Sequence, residues 1–424
     1  MYASISTKLV SPPALQRFGV SGQTHQANVV TPSTENDAKA IHAPHFSEKA
    51  ITGTPHSLRV MSYNAWLLHE PNADIYKSKS PEALNALASV ILKGHANLVL
   101  LQEVQSRKAL QHFVDTVLNP MAVSQHQAPY EWLGYDPKLE KKAPGEVPIG
   151  QMFLYKKPLK LVKQEVYTSK DLPKITSEKE PLLLREVHVA HFTLPIGKHK
   201  SQPLIAINTH IMAPTFPGLS RMTSHAFEAY ATGTVRLREA YGLQHVLNQV
   251  RKDYHTSTGQ KPWFLIGGDF NTDPHWSVTQ PVLEVITGKA KRTTFPIYDV
   301  EHDTVVSANQ YMPTKASRFY IKKPLVRLEE MSHREPSLFT AYYYPTSGLK
   351  PVHFDYLFGS PSLQKASSSH YLRSPELNTT TPKHQAEEKL FRLASDHDPI
   401  VVEIDLEKAM HFKRLAHKRL NVQG

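Results

Sequence analysis

Apolar runs that stop on an acid, an amide or an imidazole recur along this chain. Leu58-Arg-Val-Met-Ser-Tyr-Asn64, Asn97-Leu-Val-Leu-Leu-Gln-Glu103, Leu204-Ile-Ala-Ile-Asn-Thr-His210, Trp263-Phe-Leu-Ile-Gly-Gly-Asp-Phe-Asn271 and Val352-His-Phe-Asp-Tyr-Leu-Phe358 share this grammar. Short apolar runs bounded by turn formers read as buried strands. Ser395-Asp-His-Asp-Pro399 reverses the order, setting Asp396 and His397 just before Ile400-Val-Val-Glu-Ile404. The pattern predicts several strands that deliver polar side chains to one site.

Helical patterns separate the runs. Leu84, Leu87, Ala88, Ile91 and Leu92 make one stripe over Pro81 to Lys93, with Pro81 at the first helical position and Ser80 placed to cap it. Gln105 to Leu118 and roughly Ala226 to Lys252 read as further helices, the latter setting Leu237, Tyr241, Val246, Leu247 and Val250 near one face. Gly150 to Tyr155, Leu161 to Tyr167 and Arg185 to Leu194 read as strands or hairpin arms. Two excursions through helices followed by hairpins fit an α/β fold in which two mixed sheets pack face to face with helices outside. Periodicity leaves the number of layers open. Lys289 to Pro351 reads as a Pro- and Tyr-rich insertion, in which Phe339, Tyr342, Tyr343 and Tyr344 are expected in a buried strand rather than an interfacial belt.

The chain of 424 residues, 40% hydrophobic, is long enough for a sizeable core. Residues 1–55 show no sustained period and read as a flexible polar leader, 56–406 as the main domain, and 407–424 as a basic tail with amphipathic helical pattern. No apolar run approaches the about 20 residues of a membrane-spanning helix. Membrane contact is therefore expected to be peripheral if it occurs. Cysteine is absent, so thiolate metal sites are excluded and redox chemistry sets no compartment. Polar leaders of this kind also occur on bacterial proteins exported without a cleaved signal. The net charge of +11 favours anionic partners, and protonation of the 24 histidines would increase that bias.

In content and order, the motifs from about Leu58 to Leu406 resemble the endonuclease/exonuclease/phosphatase superfamily. Ser62-Tyr-Asn-Ala-Trp66 and Asn208-Thr-His-Ile-Met-Ala-Pro214 are most similar to its neutral sphingomyelinase branch, whose first motif carries Asn followed shortly by an aromatic residue. The resemblance implies a four-layer α/β/β/α sandwich, DNase I-like, with the site at strand ends across the top of the two sheets. It also implies a hydrolase that uses Mg²⁺, or Mn²⁺, to cleave a phosphodiester.

Within that resemblance the residues divide by chemistry. Glu103 is expected to ligate the metal, since carboxylate oxygen suits Mg²⁺; Asn64 supports it through water or phosphate, and Asp396 joins the metal or water network. Asp269 is the expected general base, and Asn271 a donor to a phosphate oxygen. His397 would stabilise developing charge or protonate the leaving oxygen, with Asp355 holding its tautomer. His210 is expected as a second phosphate contact and marks the branch. The aromatic hairpin of secreted bacterial sphingomyelinases has no counterpart in the polar segment Ser360 to Ala394. Phospholipase C-type cleavage of a sphingomyelin-like phospholipid is the first reading. A nuclease acting on nucleic acid is the alternative the positive charge favours; an inositol-phosphate phosphatase and a catalytically dead binding scaffold follow.

Overall fold

The computed structural model describes residues 57–70, 79–137, 149–172, 183–197, 200–213, 233–273, 280–288, 296–299, 304–307, 325–328, 341–343, 350–371 and 389–422. All of these residues belong to one compact unit, Ile51–Gly424. The leader expected over 1–55 lies outside them.

Six strands form the first sheet: β1 (Ser57–Leu68), β2 (Leu98–Val104), β3 (Glu131–Leu133), β4 (Gly150–Tyr155), β15 (Ser367–Tyr371) and β16 (Ile400–Asp405), in the order β15-β16-β1-β2-β4-β3. Six more form the second: β5 (Lys160–Tyr167), β6 (Val187–Gly197), β7 (Lys200–His210), β8 (Trp263–Asp269), β11 (Val326–Arg327) and β14 (Asp355–Gly359), in the order β11-β14-β8-β7-β6-β5. Two short ribbons stand apart, β9 (Pro296–Asp299) with β10 (Thr304–Ser307) and β12 (Ala341–Tyr343) with β13 (Lys350–Val352). Both large sheets are mixed. β1 and β2 run parallel around α1 (Pro81–Lys93), and β7 and β8 run parallel; the remaining neighbours are antiparallel. The cap on α1 forms as its sequence predicts, with Ser80 accepting from the Ala83 N–H at 3.2 Å.

Strand alternation sorts the side chains into layers. Val60, Leu100, Phe153, Ile400 and Val402 of the first sheet meet Ala190, Leu204, Ala206, Leu265 and Leu357 of the second in one core between the sheets. The opposite phase of the first sheet, including Met61, Val99 and Leu101, packs on Leu87 and Ile91 of α1 and on Leu110 and Phe113 of α2 (Arg107–Phe113). On the second sheet Ile205, Ile207, Phe264 and Ile266 pack on Leu237, Val246, Leu247 and Val250 of a long helix, Gly233–Thr258, and on the helix Gln280–Thr287. Helices, sheet, sheet, helices: the four-layer expectation holds.

Three local readings shift. The long helix, described from Gly233, ends later than its predicted span, and 226–232 lie outside the described residues. The run Val352–Phe358 breaks into two strands because the chain changes partner. β13 pairs with β12, whereas β14 pairs with β8. Between them the His353 N–H donates to Asp273 Oδ2 at 3.1 Å, and the Phe354 carbonyl accepts the Phe270 N–H at 2.8 Å. Ala341–Tyr343 is a strand, while the Tyr342 and Tyr343 side chains, with Phe339 and Tyr344, lie outside what is described. The basic C-terminal segment is helical over Leu406–Val422 and docked, with Leu406 and Ala409 in the inter-sheet core.

Candidate active site

The alternation that builds the inter-sheet core also builds the site. On β1 the even-numbered Leu58 and Val60 face the other sheet, and Asn64 continues their phase. On β7 Leu204 and Ala206 do so, leading through Asn208 to His210. On β8 Trp263, Leu265 and Gly267 lead to Asp269, and on β14 Leu357 shares the phase of Asp355. Each strand end therefore carries a polar side chain where the apolar layer stops. Gly268 has φ of 150°, and a Cβ there would fall 1.8 Å from the Thr209 carbonyl oxygen. Only glycine permits β7 and β8 to approach so closely.

Glu103 arrives differently. Gln102 occupies the inter-sheet phase of β2 and donates to Asn208 Oδ1 at 2.8 Å, so regular alternation would send Glu103 to the helix side. Its left-handed φ of 60° turns it back. The β1–β2 register slips at the same place, between Asn64 and Leu68, where Trp66 and Leu67 are also left-handed. A bulge re-aims side chains in this way.

The polar side chains converge. Asn64 Nδ2 lies 3.1 Å from Glu103 Oε1, 3.1 Å from Asp269 Oδ2 and 3.4 Å from His397 Nε2. An amide has two N–H groups, and the two carboxylates account for both. His397 Nδ1 donates to Asp355 Oδ2 at 2.8 Å, and its Nε2 lies 3.7 Å from Asp269 Oδ2 and 3.9 Å from Asp396 Oδ1. His210 Nε2 lies 3.4 Å from Asp269 Oδ2 and 4.0 Å from Glu103 Oε1. The Asn271 N–H donates to Asp269 Oδ1 at 2.7 Å, and its amide donates to the Ile211 carbonyl at 3.0 Å. Every candidate named from the sequence is thus within this cluster, with Asp396 on its more exposed side. They are not surface rim residues, as a strand-end position suggests: Asp269, Asp355 and His397 are all buried.

Burial sets the charge states. It would lower the His397 pKa, but Asp355, Asp269 and Asp396 outweigh it and hold the imidazole well above its ordinary value. These carboxylates favour the imidazolium form. Burial, Arg185 and His397 push His210 well below its ordinary value, so it is neutral, and its buried Nδ1 has no hydrogen-bond partner among the described residues. Burial raises Asp269 to about 7, against the pull of His397, and raises Glu103 with help from Asp396.

A family model described as the Endonuclease/Exonuclease/phosphatase family matches residues 61–397. The chain belongs to that family. It is a phosphoesterase, a hydrolase acting on phosphate ester bonds. No curated protein matches the chain. Among solved structures of similar fold are the human Nocturnin catalytic domain with bound sulfate (16% identity, 82% of this chain and 93% of that one, TM-score 0.41) and ANGEL2, a 2',3'-cyclic phosphatase (17%, 83% and 95%, TM-score 0.48). Truncated Caenorhabditis elegans TDP2 is another (14%, 82% and 97%, TM-score 0.40). Likenesses at this level say nothing of substrate.

The family site has the charge pattern for a divalent cation. Glu103, Asp269, Asp355 and Asp396 crowd around one imidazole, and burial, with the neighbouring carboxylates, raises Glu103 and Asp269. One atom each of Asp269, Asp355 and His397 lie within 4.8 Å of one another, a grouping that could hold a metal ion. Part of that closeness is the His397–Asp355 hydrogen bond itself.

Sequence reasoning missed the residues that hold the cluster. Ser395 Oγ donates to the Asn64 carbonyl at 2.7 Å and accepts the His397 N–H at 3.1 Å. Asn208 donates to the Leu101 and Met152 carbonyls of the first sheet at 2.9 and 2.8 Å. Arg236, fully buried, donates to the carbonyls of Met212, Phe270 and Asn271, while Glu239 accepts the Met212 N–H at 2.9 Å. Ser395 and Asn208 stand inside recognisable motifs. Arg236 and Glu239 carry no local signal beyond being charged residues in a helix.

Proposed function

We propose that the protein hydrolyses a phosphodiester of the sphingomyelin type, with water attacking phosphorus and the bond to the lipid oxygen breaking, as in phospholipase C-type cleavage. The observation that carries the reaction is the buried row Asp355–His397–Asp269, in which the imidazole is hydrogen-bonded to one carboxylate and stands 3.7 Å from the other. Asp269, fixed by the Asn271 N–H, accepts the proton of the attacking water. His397, held by Asp355, stabilises the phosphorane charge and gives its Nε2 proton to the leaving oxygen. His210, neutral, donates from Nε2 to a phosphoryl oxygen, and Asn271 adds the amide hydrogen that Ile211 leaves over. Mg²⁺, or Mn²⁺, would be held by Glu103 with Asn64 and Asp396 beside it, and would neutralise charge on the phosphate.

Ser62 to Trp66 and Asn208 to Pro214 support the lipid reading through their likeness to the sphingomyelinase branch. The charge of +11 favours the nuclease instead. A Mg²⁺-dependent panel of sphingomyelin vesicles, plasmid DNA, RNA and inositol phosphates separates them. Sphingomyelin should be cleaved, and His210→Ala should lower turnover with little change in KM, because the lost contact acts in the transition state. Efficient nicking of DNA with intact sphingomyelin would overturn the lipid reading.

A further inference from the structure

Beside this cluster stands an aromatic ring that burial does not explain. Trp66 is 45% exposed, whereas Tyr63, Ala65 and Leu68 are buried. Alternation would carry residue 66 into the space between the sheets, on the same side as Asn64. The left-handed backbone of Trp66 and Leu67, with φ of 45° and 62°, instead turns the indole outward. Such strain in non-glycine residues concentrates where function requires it. Its backbone is also tied to the site, since the Trp66 backbone N–H donates to Asn64 Oδ1 at 2.9 Å.

One cation accompanies it. Lys79 Nζ lies over the indole, 5.2 Å from its centroid, and donates to the Ala394 carbonyl at 2.5 Å, two residues before Asp396. Asp396 and Glu103 both act on this ammonium, yet neither forms an ion pair with it among the described residues. An ammonium has three donors, so Lys79 retains capacity for another oxygen on the acid side.

We propose that Trp66 and Lys79 form the subsite for the group esterified to the phosphate: Lys79 contacts a phosphate or ester oxygen, and the indole packs against an uncharged apolar group. A quaternary ammonium suits this ring poorly, because Lys79 already uses its π-electrons and repels a second cation. The proposal rests on the phosphodiesterase reading above. Within that reading the apolar side of the lipid, and not its choline, lies on Trp66.

Calorimetric titration with Mg²⁺ present tests the subsite by binding, using inorganic phosphate, phenyl phosphate and phosphocholine as probes. The wild type should bind phenyl phosphate about tenfold more tightly than inorganic phosphate, the gain expected from covering a ring-sized apolar surface. Phosphocholine should gain nothing. Trp66→Gly accepts the left-handed backbone and should abolish the phenyl preference while leaving inorganic phosphate within about twofold; Trp66→Phe should fall between. Lys79→Met, which keeps the stem, should weaken phosphate and phenyl phosphate alike by about tenfold. The subsite is overturned by a wild type without phenyl preference, by a preference that survives in Trp66→Gly, by phosphocholine binding tightened through Trp66, or by Lys79→Met binding both anions normally. Hydrolysis of bis(p-nitrophenyl) phosphate is measured separately. Its absence in the wild type sinks the phosphodiesterase reading, whereas the binding ratios decide the subsite.

Discussion

The two sheets supply the site by opposite means. The second sheet delivers His210, Asp269 and Asp355 from strands in unbroken register, β7 on β8 and β8 on β14, each side chain being the next in-phase position of a buried row. The first sheet delivers Glu103 through a positive-φ turn and sets it beside Asn64 where the β1–β2 register slips. The buried half thus places its chemistry by regularity, and the partly open half places it by distortion. In the proposed mechanism the regular strands hold two carboxylates of the proton relay within narrow limits, while the irregular edge would hold the cation. This division predicts that damage to the regular strands of the second sheet removes chemistry or fold, and damage to the distorted β1–β2 edge changes what is bound; His397, which reaches the relay from the segment before β16, stands outside it.

The largest effects should come from the relay. Asp269→Asn and His397→Ala should each lower turnover by roughly 10²- to 10⁴-fold, the range for losing a general acid or base. The double variant should be less than multiplicatively impaired, because both groups act on one transition state. Near wild-type turnover in either folded single variant would remove that residue from its role.

Gly268→Ala attacks the regularity itself. Its Cβ would meet the Thr209 carbonyl oxygen at 1.8 Å, and β7 cannot yield without moving His210. Destabilisation of roughly 3 kcal/mol or more is expected in chemical denaturation, as for other incompatible backbone positions. A midpoint like that of the wild type would show that the two strands are looser than their register implies.

Glu239 tests the same half through pH. Burial raises its carboxyl from 4.5 to about 7, although Met212, Arg185 and Arg236 oppose the shift. A raised acid keeps its proton in the folded state while the unfolded chain loses it, so stability falls as pH rises from about 4.5 to 7. Glu239→Gln retains an acceptor for the Met212 N–H and should remove roughly 2–4 kcal/mol of that pH dependence. Identical slopes for variant and wild type across this window would place the Glu239 carboxyl in a more polar setting.

The same contrast separates what could be read in the sequence from what could not. The second-sheet site was legible because regular strands obey a period of two. His210 follows Leu204, Ala206 and Asn208 in phase, and Asp269 follows Leu265 and Gly267, so the apolar pattern and the motif order together point to both. The α1 cap was legible for a similar reason, Ser80 and Pro81 acting locally. Glu103 was legible only as a motif residue. Its turn back toward Asn64 breaks alternation, and nothing in Gln102-Glu103-Val104 announces a left-handed backbone. The partner change at His353 and Phe354 was illegible because a tertiary contact, Asp273 to the His353 backbone, interrupts an otherwise continuous apolar run. Arg236 and Glu239 depend on the packing of a distant helix against two loops, and local pattern holds no record of that.

The smallest predicted effect lies on the distorted edge. Glu103→Gln keeps the shape and an acceptor for Asn64 but removes one negative charge from the cluster. Because burial and Asp396 already make that charge costly, the fold should tolerate its loss and the relay should remain assembled. What should change is attraction for the cation: the Mg²⁺ concentration for half-maximal rate should rise about tenfold, with the rate at saturating Mg²⁺ reduced much less than in Asp269→Asn. Measuring rate against Mg²⁺ for both variants separates the two halves of the site. An unchanged Mg²⁺ titration in Glu103→Gln would move the cation away from the first sheet and toward the Asp269, Asp355 and His397 grouping, and the division of labour between the sheets would fail with it.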